Sequence, residues 1–189
     1  MAWTSEDTKG LQSFKYITDS DDVRFKQIIK ETLLNNRFLI HVLNNKELDE
    51  DEPDSYFNES ILPYFVLEDT ITTVKNVLCY EITFETNRYD KRTITKDCQI
   101  IFNIVCDLGD IIEKDTGIAR HDLIAALLMY QFNWTNIFGM QIHCTSDTPS
   151  MLGANLACRT LVFRGEFPNS LSKTTDGITR VINSDVVVR

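Results

Sequence analysis

Three carboxylates on two predicted neighbouring strands come nearest to a reactive site. Glu81 and Glu85 lie on one strand, and Asp97 lies on the next. Carboxylates that approach one another across a sheet can hold a divalent metal ion, as in metal-dependent nucleases. The spacing here is loose, and a solvated sheet face with Lys75 and Lys96 as neighbouring cations accounts for the same residues. We therefore expect a structural face, and a small metal-dependent nuclease is the alternative function.

The three histidines do not form a catalytic pair with a neighbouring side chain. His41 lies in a predicted helix, His121 precedes Asp122 at a predicted helix start, and His143 lies in a predicted strand. Consecutive helix residues diverge, so Asp122 is not placed to orient His121 as a general base. Cys144 follows His143, but neighbouring strand residues point to opposite faces and do not easily bind one ion. We expect structural or solvated roles for all three histidines.

The five cysteines follow no metal-binding or disulfide pattern. None forms a CxxC pair, their number is odd, and at least four lie in apolar, strand-like runs. We expect them to be reduced and mostly buried, which indicates synthesis in a reducing cytoplasm. Nucleophile elbows, phosphate-binding loops, dinucleotide-binding glycines and HExxH do not occur in the sequence. We therefore expect no enzymatic activity, no catalytic residue, and no cofactor or metal.

The most localised basic feature is the turn between two predicted strands. A protruding basic loop is often only solvent-exposed, but it also suits contact with an acidic edge of a partner protein. The short apolar end of the polar C-terminal segment is a second candidate contact. The predicted interface residues are Asn87, Arg88, Tyr89, Asp90, Lys91 and Arg92 in the turn and Val186, Val187 and Val188 near the end.

The charge distribution argues against nucleic-acid and membrane binding. The 189 residues include 28 acidic and 19 basic side chains, a net charge of −9. Residues 1–70 carry 15 acidic and 7 basic residues, whereas 71–189 carry 13 and 12. Binding to phosphates or anionic lipids needs a surplus of Lys and Arg. No apolar run has the length of a membrane span, and the first residues lack the pattern of a secretory signal, so we expect no membrane association.

Two helices are predicted in the N-terminal third of the chain. Apolar residues at helical spacing follow the polar cluster 19–22 and indicate a helix with one buried face. Asn36 is expected to cap a second, short helix over 37–43. The residues of this helix that are expected to pack inward are Phe38, Leu39 and Val42.

Alternation of apolar residues predicts an antiparallel sheet in the middle of the chain. Residues 75–85 and 93–106 form a long β-hairpin with one apolar face. Residues 146–150 are interpreted as a turn because they combine Ser, Asp, Thr and Pro. Further strands are predicted over 62–67, 138–144 and 155–167.

A helix over 117–130 is expected to cover the apolar face of this sheet, with a broad apolar stripe made of Leu123, Ile124, Leu127, Leu128 and Tyr130. The predicted class is α+β: an antiparallel sheet with long hairpins and helices packed on one face. Six acidic residues within 47–54 predict a solvated loop, and a cation site is the alternative. The predicted organisation is an N-terminal arm over 1–18, one domain over 19–167 with an acidic loop at 47–59, and a C-terminal arm over 168–189.

The order of elements and several short phrases resemble the tail-terminator, or tail-completion, proteins of tailed bacteriophages. The resemblance covers about residues 20–167. It implies an α+β subunit of a six-membered ring that caps the tail tube and joins the tail to the head. The phrases are Leu33-Leu34-Asn35-Asn36, Leu62-Pro63-Tyr64, YEITFETNRYDKR…IIFNIVCD, GIARHDLIAALL and SDTPSMLGANLACRTLVFRG.

The same resemblance implies the partners and the location of the protein. The partners would be further copies in a hexameric ring and other phage neck and tail proteins. DNA would pass through the channel only as cargo, since an acidic surface does not grip it. The protein would be made in the host bacterial cytoplasm and would reside in the virion. A head-closure, connector or tail-tube protein is the alternative position in the same assembly.

Overall fold

Long antiparallel strands form the centre of the protein. The computed structural model describes residues 4–13, 21–65, 76–90, 93–168, 171–173 and 179–181. The helices are α1 (Ser5–Ser13), α2 (Asp21–Leu34), α3 (Arg37–Leu43) and α4 (Arg120–Phe132), with short 3-10 helices at Pro53–Tyr56 and Leu108–Asp110. The strands are β1 (Ile61–Leu62), β2 (Val77–Asp90), β3 (Thr93–Asp107), β4 (His143–Leu152), β5 (Leu156–Pro168), β6 (Leu171–Lys173) and β7 (Thr179–Val181).

Five of the strands pair in the order β1-β2-β3-β5-β4. β2 and β3 form the predicted hairpin, β5 pairs with β3 and with β4, and all three of these pairings are antiparallel. The two-residue β1 adds a short parallel pairing to β2. Helix α4 connects β3 to the β4–β5 hairpin. The predicted α+β class is therefore confirmed.

The core lies between one face of the sheet and helices α2, α3 and α4. Tyr80, Phe102 and Phe163 occupy adjacent strands on this face and are fully buried. The Phe102 ring lies 5.7 Å from that of Phe163 and 5.1 Å from that of Phe132 on α4. Burying one such side chain stabilises the fold by about 1.5–3 kcal/mol, so this aromatic cluster fixes α4 on the sheet.

The predicted N-terminal helices form, with one error in their buried residues. The Asn36 side chain accepts a hydrogen bond from the Leu39 backbone N–H at 3.1 Å and caps α3, as predicted. Phe38 was expected to pack inward, but it is 73% exposed, whereas Ile40 is buried. Helix α3 has seven residues, fewer than two full turns, so its spacing defines the buried side poorly. The contacts of α3 with both α2 and α4 decide which residues are buried.

Helix α4 forms as predicted, but only part of its predicted apolar stripe is buried. It begins at Arg120 rather than near residue 117. Leu123 and Leu127 are only partly buried, and Tyr130 is 87% exposed. The predicted apolar stripe was broader than the contact with the sheet, and packing selects only its centre. The large side chains of α4 that are fully buried are Ile124, Leu128 and Phe132.

The predicted turn over 146–150 is wrong, because these residues belong to strand β4. Pro149 is tolerated there because β4 is the edge strand and only one side of its backbone is paired. The true turn lies at residues 153–155, where Gly153 has a φ of +65°. The turn residues Ser, Asp and Pro therefore mark an exposed strand here.

The acidic loop is solvated, as predicted, and a buried residue follows it. All six acidic residues over 47–54 are exposed. Tyr56, which follows them, is fully buried in the core. Helix α1 lies inside the predicted N-terminal arm, and the pair β6–β7 lies inside the predicted C-terminal arm. Among the described residues, no helix has the length and apolar character needed to cross a membrane.

Candidate functional site

The three predicted carboxylates do not converge. Glu85 and Asp97 are cross-strand partners on β2 and β3, but Glu81 lies four residues from Glu85 and opposite Ile101. Glu81 forms an ion pair with the Nζ atom of Lys26 from α2 at 2.5 Å. Among the described residues, these three carboxylates do not form a group with metal-ligand spacing. The geometry required for the nuclease alternative is therefore not present.

Lys96 does not belong to the solvated face. It is 9% exposed and lies on the same face of β3 as the core residue Cys98. Its Nζ atom lies 4.7 Å from the centre of the Phe84 ring. Burial lowers the pKa of Lys96. Lys96 therefore lies on the sheet face opposite Glu85 and Asp97, and Lys75 lies outside the described residues.

Three exposed carboxylates instead form a row across three adjacent strands. Glu85 on β2 is the partner of Asp97 on β3, and Asp97 is the partner of Glu166 on β5. We call these three residues the acidic row. Directly opposed like charges destabilise a sheet, so the stability of a single chain does not explain the arrangement. Sequence reasoning missed Glu166 because only strand register brings it beside Asp97.

The acidic row lies on the sheet face opposite the helices. Ile101 and Val162 are paired on this face, and each is only partly buried. Thr160 donates a hydrogen bond from Oγ1 to the Asn103 Oδ1 atom at 2.8 Å. These side chains remain accessible to solvent, so this part of the face is open to a partner. Fully covered residues on the face lie at the end far from the hairpin turn and include Val77, Cys79 and Val105.

An arginine network holds the edge strand against α4. Arg159 on β5 donates from Nε and Nη2 to the two carboxylate oxygens of Asp147 on β4, each at 2.7 Å. Its Nη1 atom contacts Asp122 at the start of α4. Hydrogen bonds to Asp147 raise the pKa of Arg159. The network positions two elements rather than a reacting group.

The histidines lie in separate surroundings. His121 is near Asp122, with Nε2 3.5 Å from a carboxylate oxygen. His143 stacks on the Trp134 ring at 5.1 Å between centroids. His41 is exposed and contacts Glu50 through Nδ1. Among the described residues, none of the three has the nucleophile partner that acyl-transfer chemistry requires.

The cysteines are free, and four of the five are buried, as predicted. Burial raises the pKa of the Cys98 and Cys106 thiols to about 12. Such thiols remain protonated and do not act as nucleophiles. Cys144 is partly exposed, and burial also raises its pKa.

The predicted interface residues lie at or beyond the limits of the described chain. The backbone ladder between β2 and β3 continues to the pair Asp90 and Thr93, with an irregularity between Thr86 and Arg88. The hairpin therefore extends past the acidic row. The interface residues on this part of β2 are Asn87, Arg88, Tyr89 and Asp90, and those outside the described residues are Lys91, Arg92, Val186, Val187 and Val188.

Comparison with known proteins identifies the family. The family model YomW matches residues 17–164, which include helices α2 to α4 and strands β1 to β4. No curated protein matches the chain. The matched family is phage-derived and SPBc2 prophage-like. Because the match spans more than half of the sequence, the chain belongs to the phage-associated YomW family.

Proposed function

We propose that this protein is a structural subunit of a tailed-phage virion, part of a ring that caps the tail tube and joins the tail to the head. Membership of a phage-derived family supports the association with phage. The observation that carries the proposal further is the acidic row, which faces solvent on a hairpin whose connecting sequence, residues 88–92, is basic. The two features are complementary in charge and suit a contact between identical subunits.

The contact joins two different surfaces of neighbouring copies. The sequence that joins β2 to β3 is basic, with Arg88, Lys91 and Arg92, and the backbone ladder of the hairpin continues past the acidic row to Asp90 and Thr93. In the proposed contact, these basic residues of one subunit bind the acidic row of the next. A head-to-tail contact of this kind closes into a ring when the rotation that relates neighbouring subunits divides 360° into a whole number of steps. A six-membered ring is the proposed form.

The charge of the chain fits a ring through which DNA passes. The net charge of −9 repels phosphates, so the lumen would not bind the DNA tightly. The protein acts by assembly and has no enzymatic role in this proposal. Its partners are other copies and other neck and tail proteins. It is made in the host cytoplasm and ends in the virion.

Native mass spectrometry across a range of concentrations, with negative-stain imaging of the same samples, tests the proposal. A closed ring of identical subunits is the expected result. If the chain stays monomeric, binding to purified tail tubes provides the second test, since some rings form only on their tube. A chain that neither forms a ring nor binds tail or neck assemblies would overturn the proposal.

A charge exchange tests the contact itself. Reversing the acidic row with E85K, D97K and E166K should prevent assembly and leave the circular dichroism spectrum unchanged, because all three residues are exposed. Mixing this variant with R88E/K91E/R92E chains should restore complementary contacts in mixed assemblies. The matched control is E47K/D49K/D51K in the acidic loop, which changes net charge equally away from the row.

The alternative positions are distinguished by the partner that the ring binds. A tail-terminator ring binds the end of the tail tube, a head-closure or connector ring binds the portal side, and a tail-tube protein stacks on itself. Incubation with isolated heads and isolated tails separates these outcomes. Metal-dependent cleavage of DNA that is lost in E85Q/D97N would favour the nuclease alternative.

A further inference from the structure

A group of ligand-type side chains lies where the end of α3 meets the loop before α4. His41 comes from α3, and Glu113 and Asp115 come from the loop. One ligand atom of each side chain lies within 4.8 Å of the other two. Among the described residues this is the one group with such spacing. An imidazole nitrogen and two carboxylate oxygens form a ligand set that Zn²⁺ accepts.

Glu113 is a buried carboxylate without an ion-pair partner. It is 5% exposed, and among the described residues no lysine or arginine forms an ion pair with it. Its oxygens accept hydrogen bonds from the backbone N–H groups of Asp115 (3.0 Å) and Thr116 (2.8 Å) and from the Thr116 hydroxyl (2.7 Å). These donors are neutral, and the positive charge of Arg120 lies close enough to contribute to a lowered pKa of Glu113. A bound cation would add a directly coordinated positive charge to this buried carboxylate.

His41 is oriented by a carboxylate on its far side. Its Nδ1 atom lies 3.1 and 3.2 Å from the two carboxylate oxygens of Glu50. A carboxylate that accepts the Nδ1 proton leaves the lone pair of Nε2 available to a metal, and this arrangement recurs around metal-bound histidines. The His41 side chain is about half exposed (51%), so water can complete the coordination of an ion.

The two parts of the group are fixed relative to each other. The buried Arg120 donates from Nη1 to the Val42 carbonyl oxygen at 3.0 Å and from Nε to the Asp110 carbonyl oxygen at 2.9 Å. Asn44 donates from Nδ2 to the Asp110 carboxylate at 2.6 Å. These bonds attach the loop to the end of α3. Ligands from two chain segments are therefore held close before any ion binds, which lowers the entropy cost of binding.

We propose that His41, Glu113 and Asp115 bind one divalent transition-metal ion of the Zn²⁺ type, with Glu50 as the residue that positions His41. The ion has a structural role, because it neutralises the buried carboxylate of Glu113 and attaches the loop before α4 to α3. Through Glu50 and His41, the acidic loop is attached to the same site. The site is independent of the assembly surface, which lies on the opposite face of the sheet. It is also separate from Glu81, Glu85 and Asp97.

Isothermal titration of the chelator-treated full chain with ZnCl₂ tests the site. One ion per chain is expected. His41→Ala and Asp115→Asn should each weaken binding more than tenfold, and Glu50→Gln should weaken it less, about tenfold, because Glu50 does not touch the ion. The matched control is Asp51→Asn, which changes an exposed acidic residue of the acidic loop next to Glu50. This variant should bind Zn²⁺ as tightly as the wild type does. Glu113 is left unchanged because its hydrogen bonds also hold the loop.

Thermal unfolding separates loss of the site from loss of the fold. Without metal, His41→Ala and wild type should unfold at similar temperatures, since His41 is exposed. With Zn²⁺ at 100 times its Kd, the wild-type Tm should rise by about 5–10 °C and that of His41→Ala should not. Absence of Zn²⁺ binding by the wild type, or binding that His41→Ala leaves unchanged, would overturn the proposal. The second result would assign the ion to cysteines or to other carboxylates.

Discussion

At the scale of single residues, burial decides which reactive groups can react. The sequence predicts reduced cysteines, and the structure confirms this and separates them by exposure. Cys98 and Cys106 lie against the helices and keep their protons, while Cys144 lies on the edge strand. The thiol reactivity of the protein is therefore expected to reside in one residue of five.

Maleimide labelling should modify only Cys144 in the native protein and all five cysteines in denaturant. Labelling of Cys144 should be slower than that of free cysteine, because its raised pKa lowers the thiolate fraction. Intact-mass measurement after timed labelling checks this, with Cys144→Ser as the control. Rapid native labelling at two or more sites would contradict the described burial.

The Glu113 carboxylate should make stability depend on pH in acid. Hydrogen bonds from the Asp115 backbone N–H and from Thr116 lower its pKa from an ordinary 4.5 to about 2. Because the folded pKa is the lower one, this stabilisation is fully present above pH 4.5 and is lost as the pH falls towards 2. Urea unfolding in chelator at several pH values should show Glu113→Gln less stable than wild type at pH 7. The difference in the free energy of unfolding between the two proteins should become smaller below pH 4. A difference that stays constant down to pH 2.5 would be inconsistent with a lowered pKa of Glu113.

At the scale of elements, packing decides which side of an amphipathic helix is buried. The predicted stripe of α4 is broad, but of its five residues only Ile124 and Leu128 are fully buried. The same effect leaves Phe38 of α3 in solvent. Helical spacing therefore identifies a helix and its approximate apolar side, and the facing element selects the buried residues.

Substitutions along α4 should reveal which part of the predicted stripe is buried. Leu128→Ala removes a fully buried side chain, and the free energy of unfolding should fall by about 2–5 kcal/mol. Leu123→Ala should have a smaller effect, and Tyr130→Ala, at an 87% exposed position, should change it by less than about 0.5 kcal/mol. Chemical denaturation of the three variants is the measurement. Equal losses at positions 123 and 128 would support the stripe expected from sequence.

At the scale of the whole molecule, strand register gathers charges that lie far apart in sequence. Glu85, Asp97 and Glu166 become neighbours only because β3 lies between β2 and β5. The helices occupy one sheet face, so the row and the paired Ile101 and Val162 remain accessible on the other. The exposed part of this face is the surface on which the proposed assembly contact rests.

Shortening the turn by replacing residues 88–92 with Asn-Gly should leave the fold intact and prevent ring formation. In the shortened chain, Asn87, the Asn-Gly insert and residues 93–95 form a loop between Thr86 and Lys96, so the pairing of these two residues and the core beyond them is kept. The Tm should stay within a few degrees of wild type, and native mass spectrometry should show only monomers. If the shortened chain is incorporated into virions at the same level as the wild type, the turn has no role in assembly.

Local residue patterns by themselves determined the α+β class, the long hairpin, the capped helix α3 and the reduced cysteines. Each of these depends on neighbours within a few residues, such as alternation along β3 or the Asn36 side chain at its own helix start. Only the tertiary structure decided that residues 146–150 extend an edge strand, that Glu166 joins Asp97, and that His41 meets Glu113 and Asp115. These juxtapositions depend on register and on packing between elements distant in sequence, which residue types and spacing do not specify.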